Sequence, residues 1–183
     1  ELMKVDSFEP TVGKDIQDVA FAVAALIIVL ILGYLALRFQ FKFGVAAVIA
    51  VIHDALIIMA ILLITGIEVG IQSVTAILTI IGYSLNDTIV VFDRIRENTE
   101  NIKKEEYMFV VNKSINQVIY RTIITSVTTL LAVLSLLILG GPAIFELSFS
   151  IAIGIIVGTY SSIFIASPVL IIWEDFLNKR KFS

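Results

Sequence analysis

Cysteine is absent from the chain, which excludes a disulfide framework, a thiolate metal site and thiol redox chemistry. Charge is scarce: Asp, Glu, Lys and Arg make up 16% of the 183 residues, against about 25% in an ordinary soluble domain. Histidine occurs once, at His53, with no cluster of ligands beside it, so no metal centre is expected. No nucleophile–base pair and no phosphate-binding loop stands out, so an enzyme is not expected. Glu1 opens a short polar segment with no initiator Met and no signal peptide, and the chain reads as a piece of a longer protein.

What fills the chain instead is apolar. Hydrophobic residues make up 58% and mean hydropathy is +1.01. Several windows of about 20 residues carry almost no charge, the length that crosses a hydrocarbon core of ~30 Å. The expected class is an all-α membrane protein with a bundle of five transmembrane helices, at about 19–37, 43–67, 71–92, 122–139 and 147–172. Strands of a β-barrel would be about 10 residues long with strict alternation, which is absent. Residues 1–18 precede the bundle, 93–121 form a cytoplasmic loop, and 173–183 form a tail. Gly140-Gly141-Pro142 is a break signal between the last two spans.

The basic residues set the orientation. Apart from Lys4 and Lys14, every Lys and Arg lies by the loop of Arg38 and Lys42, between the third and fourth spans, or in the tail. The opposite loops carry Glu68 and Glu146 and no basic residue. The positive-inside rule then puts the N-terminus outside and the C-terminus in the cytoplasm, as an odd number of spans requires. Topology accounts for these charges, so nucleic-acid binding is not expected. Trp173 and the Phe39/Phe41/Phe43 cluster fit interfacial anchors. In the cytoplasmic loop, Phe109, Val110, Ile115, Val118 and Ile119 alternate with polar residues. They suit either an amphipathic helix at the membrane face or a continuation of the fourth span.

Polar residues inside the spans are the candidate site. In the third span Thr79, Tyr83, Asn86, Asp87 and Val90 fall on one helical stripe. Asp87 lies seven residues before Arg94, roughly 10 Å in from the boundary at 1.5 Å per residue. In the fourth, Thr122, Thr125, Ser126 and Thr129 form a hydroxyl stripe with Arg121 at its mouth. Charge at mid-membrane costs ~2.5–3.5 kcal/mol on insertion scales, so Asp87 and Arg121 are expected to face one polar cavity. Burial and a neighbouring cation pull a carboxylate's proton affinity in opposite directions, which suits a proton relay; interhelical glue is the alternative. Asp54, beside His53 in the second span, is a hydrogen-bonding group or a second proton stop. Adjacent helical residues do not share a face, so these two should need different partners. Gly154-Ile-Ile-Val-Gly158 is a GxxxG that allows close helix approach, and Thr159, Ser161 and Ser162 add hydroxyls.

Gly82–Asn98, GYSLNDTIVVFDRIREN, resembles the signature of the SecD/SecF family of bacterial protein-export membrane proteins, in the form of its SecF branch. TVGKD before the first span, HD in the second, RTIITSVTTL (Arg121–Leu130) and GTYSSIFIASPVL (Gly158–Leu170) support the likeness. The family belongs with the resistance-nodulation-division transporters. The resemblance implies a multi-pass protein of the bacterial inner (cytoplasmic) membrane, partnered by SecD and the SecYEG translocon. It implies use of the proton gradient, without a cofactor, to assist export of preproteins. It also implies six spans with a large periplasmic domain between the first two. Residues 1–18 then match that domain's end, with the first span and the rest of the domain missing, including the part that would touch the preprotein. The family's proton-path acid falls on Asp87 and its arginine on Arg121; Asp93 and Arg94 fall at the boundary as anchoring or coupling residues. A proton-coupled half-transporter for a small molecule or lipid, and a purely structural assembly subunit, are the alternatives.

Overall fold

The computed structural model describes residues 40–67, 69–99 and 107–181, together with scattered helical positions between 19 and 33. The expected first span, 19–37, and the segment 1–18 lie largely or wholly outside the described residues. Ile27, one of the described positions, packs against the bundle core. Among the described residues there is no strand, and four helices are long and apolar enough to cross a membrane. They are α1, Phe41–Thr65; α2, Ile71–Thr99; α3, Tyr107–Leu139; and α4, Pro142–Ser161, which runs through a π-helical turn, Ser162–Ala166, into α5, Ser167–Lys181.

Helix ends follow local chemistry. After α1, Gly66 takes φ 71, and the amides of Gly66 and Ile67 return to the carbonyls of Leu63 and Leu62. That closes the helix with a left-handed glycine. Between α3 and α4, Gly141 takes φ 72, and Pro142, which has no N–H to be left without an acceptor, opens the next helix. Pro168 cannot donate to the carbonyl one turn back, and the wide π turn directly precedes it. Ser167 Oγ donates to Ser162 O across that turn at 3.2 Å.

The expected loop 93–121 is mostly helix. α2 continues to Thr99 and α3 begins at Tyr107 rather than near Thr122, so the fourth span's continuation is what forms. The reason is pairing along both extensions. Val111 is buried with Val91, Phe92 and Ile95, and Ile115 and Val118 pack on that cluster. Arg94 Nε donates to Gln117 Oε1 at 2.6 Å, and Asn98 Nδ2 reaches both Gln117 Oε1 and Ser114 Oγ. At 1.5 Å per residue α2 and α3 are about 44 and 50 Å long, so both outrun a ~30 Å core. The basic-end seam closes on Lys42, whose Nζ lies 2.8 Å from Glu174 and over the Tyr107 ring. Phe41 meets Trp173 edge-on at that end, but Phe43 is buried against Phe92 and is core, not an interfacial anchor. Phe39 lies outside the described residues.

α4 is the inner helix and touches α1, α2 and α3. Its buried residues are small: Ser148, Ser150, Ala152, Gly154, Gly158 and Ser161, with Ile155 the exception. The GxxxG faces α2, where a Cβ on Gly154 would overlap the Ile80 side chain and one on Gly158 would sit 2.9 Å from Ser84 Cβ. At the end away from the basic residues, Glu146 of α4 caps α2. Its Oε1 accepts from the amides of Gly70 and Ser73, at 3.4 and 3.1 Å, and from Ser73 Oγ. A carboxylate there satisfies orphan amides and complements the helix dipole. α3 is peripheral: only 17% of its most apolar window is buried, against 44% for α2.

Two outcomes follow. Gly154→Ala should destabilise the bundle by about 1–3 kcal/mol through overpacking against Ile80, read as a lower unfolding midpoint in detergent. Glu146→Ala should cost about 1–2 kcal/mol by removing a charged cap, with Glu146→Gln recovering part of it in the same assay.

Candidate functional site

Among the described residues two carboxylates are buried inside the bundle, and their surroundings differ. Asp54 of α1 is 1% exposed. Its Oδ2 accepts from Ser84 Oγ of α2 at 2.6 Å and from Ser161 Oγ of α4 at 2.8 Å. Its Oδ1 lies 3.1 Å from His53 Nδ1, a bond in which the imidazole N–H donates. His53 and Asp54 were expected to need different partners, but the half-buried imidazole turns along the helix to its neighbour. Three donors from three helices bind Asp54 into the seam, because each hydrogen bond to a charged acceptor contributes about 1.5–3 kcal/mol.

Asp87 of α2 is 3% exposed and receives far less. Ser126 Oγ of α3 donates to its Oδ2 at 3.3 Å, and Thr159 Oγ1 of α4 reaches Ser126 Oγ at 2.7 Å. Among the described residues Asp87 has no ion-pair partner. Arg121 is within electrostatic reach of Asp87 but is exposed and does not touch it. A carboxylate has about four acceptor positions, and one hydrogen bond leaves Asp87 far from saturated.

The other expected site residues divide by face. Asn86 is exposed and makes no hydrogen bond among the described residues. With Asp87 aimed into the bundle, Asn86, about 100° to one side of it, turns outward, while Thr88 on the other side and Ser84 one turn back turn in. Tyr83 is half-buried, and its hydroxyl donates to the Thr125 carbonyl at 3.4 Å. Thr125 itself is exposed, its hydroxyl bonded back to the carbonyls of Arg121 and Thr122. Of the α3 hydroxyl stripe, Thr122 and Ser126 are buried, and Thr129 bonds back to Thr125 O. Asp93 is half-buried, and Arg94 ties α2 to α3 through Gln117. Gly154 and Gly158 form the close approach to α2.

Ser84 is the residue that the sequence reading missed. It touches Asp54, lies against Gly158 and supplies the carbonyl that Thr88 Oγ1 bonds at 3.1 Å. Its signal was the i, i+4 spacing to Thr88 and the i, i+3 spacing to Asp87. Those spacings define a buried hydroxyl face beside the stripe that was drawn through Asn86.

The architecture has known counterparts. A family model described as "Protein export membrane protein SecD/SecF, C-terminal" matches residues 1–175. The protein translocase subunit SecDF of Thermus thermophilus is 44% identical over 172 residues, covering 94% of this chain and 23% of that protein. The protein translocase subunit SecF of Petrotoga mobilis is 41% identical over 172 residues, covering 92% of this chain and 57% of that protein. The crystal structure of SecDF, a translocon-associated membrane protein, from Thermus thermophilus superposes with a TM-score of 0.85 and 44% identity, covering 91% of this chain and 23% of that one. This chain therefore spans little more than half of the SecF relative and about a quarter of the SecDF protein. Four helices of spanning length, the bundle they form and the match over residues 1–175 agree: this multi-pass chain belongs to the SecD/SecF family of protein-export membrane proteins.

Proposed function

We propose that the chain is the membrane portion of a SecF-like subunit, paired with SecD and acting with the SecYEG translocon in the bacterial inner membrane. In that role it uses the proton gradient to assist Sec-dependent export of preproteins. The relatives support it by name: they are protein translocase subunits, and one carries SecD and SecF in a single designation, SecDF. None of those names describes an enzyme, and the role requires no cofactor beyond the gradient. The N-terminus lies outside and the C-terminus in the cytoplasm, as the placement of basic residues requires.

The observation that carries the proton reading is the contrast between the two acids. Asp54, with three donors from three helices, is a structural group. Asp87, buried and with a single hydroxyl donor and no ion pair among the described residues, can change its proton while the helices stay assembled. Each state of Asp87 favours a different engagement of Ser126 and hence a different seating of α3 on α2. Arg121 supplies fixed positive charge at the cytoplasmic mouth of the path. A proton moving down a 100 mV potential delivers ~2.3 kcal/mol. A complete swing of a two-state element from 1:99 to 99:1 takes ~5.5 kcal/mol, so each proton biases the motion without completing it.

The test uses the full-length protein assembled with its partners in inverted membrane vesicles. Asp87→Asn keeps the shape and removes the titrating proton; it should co-purify with SecD and abolish gradient-stimulated completion of export. Asp87 would be a structural carboxylate if stimulation survived in that variant. Asp54→Asn should weaken assembly before it affects stimulation, read as lost co-purification.

A further inference from the structure

Thr159 stands between two acceptors. Its Oγ1 lies 2.7 Å from Ser126 Oγ and also 2.7 Å from the carbonyl oxygen of Ile155, one turn back on α4. A hydroxyl has one proton and can serve only one of them at a time. While Ser126 gives its proton to Asp87 Oδ2, it has none for Thr159, so Thr159 must donate to Ser126. The chain then runs Thr159 to Ser126 to Asp87, and Ile155 O keeps its helical amide alone.

The same atoms support the reverse chain. A proton bound at Asp87 Oδ2 makes an O–H that donates to Ser126 Oγ. Ser126 turns its own proton to Thr159 Oγ1, and Thr159 turns its proton to Ile155 O. One proton has been added, no O–H bond of either hydroxyl has been broken, and no donor is left without an acceptor. We infer that Thr159 is a positioning residue for proton loading: its hydroxyl swivels between Ser126 and the Ile155 carbonyl, so that every hydroxyl proton in the chain keeps an acceptor in both states of Asp87. This rests on the proton-relay reading of Asp87 given above.

The chain is a dead end, because a peptide carbonyl cannot pass the proton on. It accommodates the load, and protons reach and leave Asp87 by another side. The charged and titratable groups nearby are Arg121 on α3, within electrostatic reach, and Asp54 with His53 on α1, beyond Ser84; α4 contributes Tyr160 on the His53 side. Asp54 lacks an equivalent device. Ser161 has a second acceptor, Gly158 O at 3.2 Å, but Ser84 Oγ has no acceptor besides Asp54 among the described residues. The close approach at Gly158, adjacent in sequence, seats Thr159 at the junction of α2, α3 and α4.

The experiment compares Thr159→Val, which keeps the shape without the hydroxyl, with Thr159→Ser and Asp87→Asn in the full-length complex in vesicles. One readout is the deuterium-sensitive carboxylic C=O band in infrared difference spectra between high and low pH; the other is gradient-stimulated export. Asp87→Asn should remove the band. Thr159→Ser should keep its position and keep export. Thr159→Val should move the band to higher wavenumber, because Asp87 then donates to a serine with no onward partner, and should slow stimulated export by about tenfold. Thr159→Ala should move the band in the same direction, and it decides the matter if Thr159→Val does not assemble. An unmoved band and full export in Thr159→Val, with the band still lost in Asp87→Asn, would overturn the swivel and leave the relay standing. A band that persists in Asp87→Asn overturns the relay reading itself, and the swivel with it.

Discussion

The close seating of α4 on α2 is the constraint on which the bundle depends. Inside a membrane there is no large hydrophobic gain from bringing two helices together, so association relies on packing and interhelical hydrogen bonds. Gly154 and Gly158 remove the side chains that would hold the backbones apart, and Ile80 and Ser84 fill the space. That approach brings Ser161 within 2.8 Å of Asp54 and Thr159 within 2.7 Å of Ser126. A larger residue at either glycine would lift α4 away from the hydroxyl contacts of both acids.

Given that seating, the two buried carboxylates become different objects. Asp54 gathers donors from α1, α2 and α4 and behaves as a rivet between helices. Asp87 has one donor among the described residues, itself the middle of a hydroxyl chain. An unsaturated acceptor in a nonpolar surround is costly unless its partners can adapt to its charge. The bundle therefore carries, among the described residues, one acid tied by donors from three helices and one with a single hydroxyl donor, linked through Ser84 and about a turn of α2.

Outside the apolar core the same helices continue as a pair. α2 and α3 run on past the boundary and are stitched by Arg94, Asn98, Ser114 and Gln117. A displacement of α3 relative to α2 at Ser126 would be carried along a stiff two-helix arm and not lost in a flexible loop. At the opposite end Glu146 binds α4 to the first turn of α2. The acid pair thus sits between two fixed points.

Much of this was legible in the amino-acid order. Apolar runs of spanning length, the Gly140-Gly141-Pro142 break, the GxxxG and an acid within a span follow from composition and helical period, which act locally. The family was also readable from Gly82–Asn98. What the order did not decide was rotation and contact. Which face of α2 turns inward depends on what packs against it, and the buried face includes Ser84 and Thr88 and leaves Asn86 outside. Whether residues 107–121 lie apart or continue the helix depends on Val111 finding Val91 and Ile95. How firmly an acid is held depends on how many donors reach it from other helices. Those are distances between residues far apart in the chain, which only the tertiary structure sets, because hydrogen bonds form or fail within a few tenths of an ångström.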